Sequence, residues 1–142
     1  MKHNTFSYSG IILMLISRID LSDNKLIGEI LRQIGNLTML ISLNLLCNNL
    51  TGPIPLEFSK LMAIESLDLS YNNLNGKIPP KLNDLRYLGV FTIAQNNFSG
   101  KIPRGHQLDA FQRYSFKGNP PCFAKCNCKK YAMKLNHHQL RS

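Results

Sequence analysis

Tryptophan is absent from these 142 residues, and aromatic side chains make up only 8% of them. Tight protein interfaces lean on clustered tryptophan, tyrosine and arginine, so an anchor cluster of that kind is not expected here. Long apolar runs are also missing. Nothing approaches the roughly 18 consecutive apolar residues that cross a bilayer as a helix. The N-terminal MKHNTFSYSGIILMLIS offers an early cation and then Ile11 to Ile16, but this run is short and no small-x-small cleavage pattern follows it. As written, the chain is expected to carry neither an export signal nor an anchor. No carboxylate pair, nucleophile turn or glycine-rich phosphate loop can be assembled, so neither an enzyme nor a cofactor is expected.

Acid is scarce in one region only. Residues 1–100 hold 8 Lys/Arg against 7 Asp/Glu, whereas residues 101–142 hold 9 Lys/Arg against the single acid Asp109. The net charge of +9 therefore belongs mostly to the C-terminal tail, not to the body. A tail of this kind is either solvated or meets a polyanion, and the two are separable by salt dependence.

What is present is a period. Asn24, Asn48, Asn72 and Asn96 recur at one constant interval, and the same interval separates Gly28, Gly52, Gly76 and Gly100, and Ile30, Ile54, Ile78 and Ile102. Pro55, Pro79 and Pro103 follow the isoleucines, with Leu31 in that slot of the first copy. Four aligned copies describe a solenoid of stacked coils. In the clearest copy, LISLNLLCNNLTGPIPLEFSKLMA, residues Leu40, Leu43 and Leu45 point inward and Leu43–Asn44–Leu45 alternates as a short strand. Strands are expected near 18–21, 42–45, 66–69 and 90–93, side by side in a parallel sheet. The class is thus α/β, with short parallel strands on the concave face and loops or 3₁₀ turns on the convex face. An amide both donates and accepts, so each ladder asparagine can turn inward to satisfy backbone groups, giving a buried ladder. Leu31 in place of proline should loosen the first return turn.

The pattern L-x-x-L-x-L-x-x-N-x-L-x-G-x-I-P resembles the plant-type leucine-rich repeat. The succession RIDLSDNKLIGEI, IGNLTMLISLNLLCNNLTGPIP, IESLDLSYNNLNGKIPPKLNDLRYLGVFTIAQNNFSGKIP and GHQLDAFQRYSFKGNPPC resembles the last repeats and C-terminal cap of plant receptor-like proteins. These are cell-surface receptors of defence and development that lack a kinase domain. KHNTFSYSG resembles the segment just after their non-repeat island. The resemblance implies this organisation: a lead-in and the start of the first coil over 1–15, four coils over 16–111, a cap over 112–128 and a basic tail over 129–142. It implies a truncated receptor fragment that binds protein, with a co-receptor kinase ectodomain as partner. Intact relatives sit at the plasma membrane facing the apoplast. Two alternatives stand beside it: a secreted inhibitor of cell-wall-degrading enzymes, similar to polygalacturonase-inhibiting proteins, and a truncated product without function.

The exposed concave columns are Arg18, Ser42, Ser66 and Val90, then Asp20, Asn44, Asp68 and Thr92, then Asp23, Cys47, Tyr71 and Gln95. Tyr71 is their one aromatic, which makes it the candidate partner-binding residue, flanked by Arg18 and Glu65. Asp20 and Asp68 share a column two coils apart, roughly 10 Å by strand spacing, and read as surface acids. Asn36-Leu37-Thr38, Asn49-Leu50-Thr51 and Asn97-Phe98-Ser99 are glycosylation sequons, usable if the chain enters the secretory route. In the tail, Cys122, Cys126 and Cys128 have a C-x₃-C-x-C spacing foreign to zinc fingers, so no metal site is expected. The cap of the resembled family closes with a disulfide. That implies Cys122–Cys128, with Cys122–Cys126 as the other pairing and free thiols as the remaining option if the product is never exported.

Overall fold

The computed structural model describes residues 15–120. The first sheet consists of β1 (Arg18–Asp20), β3 (Ser42–Asn44), β5 (Ser66–Asp68) and β7 (Val90–Thr92), all parallel. Each strand falls within its expected range. The middle residue of each triplet enters the core: Leu43 and Leu67 are fully buried and Phe91 nearly so. Flanking residues face out, as a period of two requires.

A second parallel sheet follows on the return side: β2 (Ile27–Glu29), β4 (Asn49–Gly52), β6 (Asn73–Gly76) and β8 (Asn97–Phe98). This differs from the expectation of loops and 3₁₀ turns alone. The short alternation is nonetheless present, since Leu50, Leu74 and Phe98 are buried between exposed neighbours. Its register also differs from that of the first sheet. Arg18 faces Ser42, a full repeat further on, but Ile27 faces Asn49, two positions short of a full repeat. The same offset persists where Asn75 faces Asn97. Equivalent repeat positions are therefore sheared along the second sheet, while they align straight across the first.

Each coil closes through a 3₁₀ turn: Arg32–Asn36, Leu56–Lys60, Pro80–Asp84 and the shorter Leu108–Ala110. Phe58 and Leu82 fill the core from these turns. Leu31 does not loosen the first turn. Its φ of −66° and ψ of 120° match those of Pro79, at −62° and 124°. Extended backbone suffices at this position, and leucine reaches it without a ring. The first two turns pack closely, because a Cβ on Gly35 would stand 2.4 Å from the Glu57 carbonyl oxygen.

The asparagine ladder joins coil to coil. Asn48 donates from Nδ2 to the carbonyls of Leu21 and Leu45, both at 3.0 Å, and its Oδ1 accepts the Leu26 N–H at 3.1 Å. Asn72 repeats this with Leu45, Leu69 and Leu50, and Asn96 with Leu69, Ile93 and Leu74. Asn24 departs from the expected buried ladder. It is exposed and donates only to its own coil, to Leu21 and Ser22. A fifth rung appears at Asn119, which donates to Ile93 and Phe116 and accepts the Phe98 N–H. It falls one position short of a full repeat after Asn96, and so reads in sequence as part of the cap. The cap then closes over Phe91, whose ring meets Phe111 at 5.6 Å and Phe116 at 6.3 Å. Among the described residues, no helix is long and apolar enough to cross a membrane.

Candidate functional site

The concave sheet presents three columns with three different environments. The first column opens the strands, where Arg18, Ser42, Ser66 and Val90 stand directly opposite one another. Beside it runs a groove of about 350 Å³, lined by Arg18, Ile41, Ser42, Glu65, Ser66, Tyr87, Gly89 and Val90. The Glu65 carbonyl accepts the N–H groups of Gly89 at 2.8 Å and Val90 at 3.0 Å, which holds the next coil's approach to the strand in place. Arg18 and Glu65 line this groove without forming an ion pair with each other. Two opposite charges thus flank an aliphatic and aromatic floor, free to meet charges brought by a partner.

The second column is committed to the fold. Asp20 Oδ1 accepts the Ser22 N–H at 3.0 Å and the Ser22 hydroxyl at 2.6 Å. Asp68 holds Ser70 in the same way. Asn44 caps the N–H of Leu46, and Thr92 Oγ1 that of Ala94. These bonds tie down the turn that leaves each strand. The Ser22 hydroxyl, then its backbone N–H, hold the Asp20 carboxyl below the ordinary aspartate range against a small opposing effect of burial. The signal for this role was the Asp-x-Ser spacing at 20–22 and 68–70, a local side-chain-to-backbone turn.

The third column is conformationally unusual. Asp23, Cys47, Tyr71 and Gln95 all take left-handed backbone, with φ between 54° and 59°. Left-handed backbone is strained for a residue with a Cβ, and bulky residues seldom adopt it. Tyr71 is 52% exposed. The structure therefore brings Arg18 and Glu65 into one groove and leaves Tyr71 outside it, past the other end of the strands. Tyr87, 67% exposed, is the aromatic that lines the groove. It precedes the strand column by three residues and so escaped a column-by-column reading. Cys47 is exposed, and its thiol is pushed up by a hydrogen bond to Asp23, by burial and by the Asp23 charge, in that order.

Asn36, Asn49 and Asn97 are all exposed, the first at the end of a 3₁₀ turn and the others on β4 and β8. Cys122 and Cys128 lie outside the described residues.

Comparison with known proteins accords with this geometry. The Leucine Rich Repeat family model matches residues 15–37, 39–61 and 63–85. No curated protein matches the chain. Among solved structures, a chain of the BIR3–SERK2 complex from Arabidopsis thaliana is 35% identical, with a TM-score of 0.74, over 81% of this chain and 64% of that one. The Arabidopsis receptor kinase HAESA, solved with the peptide hormone IDA and the co-receptor SERK1, is 42% identical, with a TM-score of 0.67, over 77% of this chain and 18% of that one. The ectodomain of the Arabidopsis thaliana receptor kinase SOBIR1 is 35% identical, with a TM-score of 0.65, over 77% of this chain and 59% of that one. The chain spans less than two-thirds of the length of each of these structures. With parallel strands repeating in register, an asparagine ladder and these neighbours, the chain has the leucine-rich-repeat fold and is similar to plant receptor ectodomains.

Proposed function

We propose that this chain is a protein-binding module of a plant receptor-like protein, facing the apoplast and docking the ectodomain of a co-receptor kinase. The observation that carries the reading is the open groove at the strand-start edge, where Arg18 and Glu65 flank Tyr87 and Val90. Accessible opposite charges favour a partner of complementary pattern and set its register, and the aromatic and aliphatic floor supplies apolar contact. Two of the neighbouring structures are described as complexes containing SERK proteins, and one also as binding a peptide hormone, which supports a protein partner here. A face of four coils is small, so binding should be weak or transient. Signalling in defence or development is the role that such a module would serve.

The test is surface binding of the full chain, secreted behind an export signal, to co-receptor ectodomains. Arg18→Glu and Tyr87→Ala are expected to weaken binding, and Tyr71→Ala to weaken it only if the contact extends along the strands to the far column. Unchanged binding in both Arg18→Glu and Tyr87→Ala would remove the groove from the interface. No binding by the unmodified chain would remove the reading itself.

A further inference from the structure

We propose that Asn49 carries an N-linked glycan that covers Ile27 of the preceding coil. Ile27 is 79% exposed, more than any other large hydrophobic side chain among the described residues. It lies on β2 directly opposite Asn49 on β4. Residues paired in this way on neighbouring parallel strands share a face at about 4.8 Å. That face is outward, because Leu50, between Asn49 and Thr51, is buried at 5% exposure. Asn49-Leu50-Thr51 is a complete sequon.

The Asn49 amide is also free to be modified. Its backbone N–H bonds the Leu26 carbonyl at 2.8 Å, but its side chain makes no hydrogen bond among the described residues. Asn48, one residue earlier, spends its amide on the ladder. Joining a sugar to Asn49 Nδ2 therefore breaks no hydrogen bond of that side chain among the described residues. In that step an oligosaccharyl transferase forms a bond from Nδ2 to the sugar's C1, the pyrophosphate of the lipid-linked donor leaves, and the amide gives up one proton. The first sugar then lies beside Ile27, its C–H surface against the side chain and its hydroxyls toward water. A bare isoleucine on an edge strand invites association, and a hydrated cover removes the invitation.

The other sequon on this sheet lacks that neighbour. Asn97 faces Asn75, a polar residue. A glycan at Asn97 has no apolar surface to cover, which separates the two sites experimentally. The proposal rests on the reading that the chain passes through the secretory route. It does not depend on any partner, so failure of the binding assay and failure of the glycan assay point to different errors.

The experiment expresses the full chain in plant cells behind an export signal, reads site occupancy by glycopeptide mass spectrometry, and reads association by size-exclusion chromatography. The Asn49 peptide should carry a glycan in the secreted protein. Asn49→Gln and Thr51→Ala should lose it and shift material from the monomer peak to larger species, while Thr51→Ser keeps both glycan and monomer. Ile27→Thr should restore the monomer in the Asn49→Gln background, and Asn97→Gln should leave elution unchanged. Circular dichroism on each variant separates a folding defect from a lost cover. An unoccupied Asn49 would overturn the proposal, as would unchanged elution of a folded Asn49→Gln, or failure of Ile27→Thr to restore the monomer.

Discussion

Asn72 and Asn73 are neighbours in the sequence, and only the first holds two coils together through its side chain. Asn72 Nδ2 donates to Leu45 at 2.9 Å and Leu69 at 3.1 Å, and its Oδ1 accepts the Leu50 N–H. Asn73 is exposed. Asn72→Ala strands several part-buried backbone groups and should cost about 1–3 kcal/mol. Asn73→Ala should leave the melting temperature nearly unchanged, and equal shifts in thermal unfolding would contradict the ladder. Ser22→Ala tests the turn column. It removes the hydroxyl bond to the Asp20 carboxyl, the larger of the two that lower its pKa, so that pKa, followed by NMR, should rise toward the ordinary aspartate value. Because the folded pKa is the lowered one, the stability that Ser22 lends through Asp20 is present above the ordinary aspartate pKa. It is lost as pH falls through the folded value. At this scale the sequence was readable where a residue repeats between neighbouring coils, though Asn24 repeats and yet stays exposed. The constant interval exposed the asparagines and leucines, but the left-handed backbone at Tyr71 and the groove position of Tyr87 depend on dihedrals and on the path between columns, which no interval encodes.

The return turns show how far an element tolerates a departure from its pattern. Leu31 already has dihedrals close to those of Pro79, is 66% exposed, and donates no backbone hydrogen bond among those described. Leu31→Pro should therefore stabilise the chain by about 0.4–1 kcal/mol, by narrowing the unfolded ensemble, and denaturant unfolding would show a raised midpoint. Gly35→Ala should act in the opposite direction, since its new methyl would strike the Glu57 backbone at 2.4 Å. The first sheet was legible because its triplets alternate within a long aligned repeat. The second sheet was not, because only two to four residues of alternation sit inside what reads as turn chemistry, around an asparagine and a glycine. Its pairing falls two positions short of a full repeat, so aligning copies at the repeat itself could not find it. The offset follows from backbone hydrogen bonds that hold one coil to the next, such as Asn49 N–H to the Leu26 carbonyl at 2.8 Å.

For the whole molecule, the two ends of the described solenoid differ. The last coil is covered, with Phe91 under Phe111 and Phe116. The first coil leaves Leu15, Leu21, Ile27 and Leu31 between 43% and 79% exposed. Produced without the Asn49 glycan, the isolated chain should associate with rising concentration, which sedimentation velocity would show as a growing fast component. A single monomeric species at all concentrations would mean that the edge is protected. The ladder adds a direction to this asymmetry. Every rung from Asn48 to Asn119 fastens its own coil to the coil before it through its amide nitrogen, and none of these donors reaches forward. Tension applied at the C-terminus therefore loads one rung at a time. Asn119 would yield first, then Asn96, and each release would free one repeat, roughly 80 Å of extended chain. Held in an optical trap, the protein should lengthen in even steps of about that size, behaving as a ratchet whose teeth are asparagines.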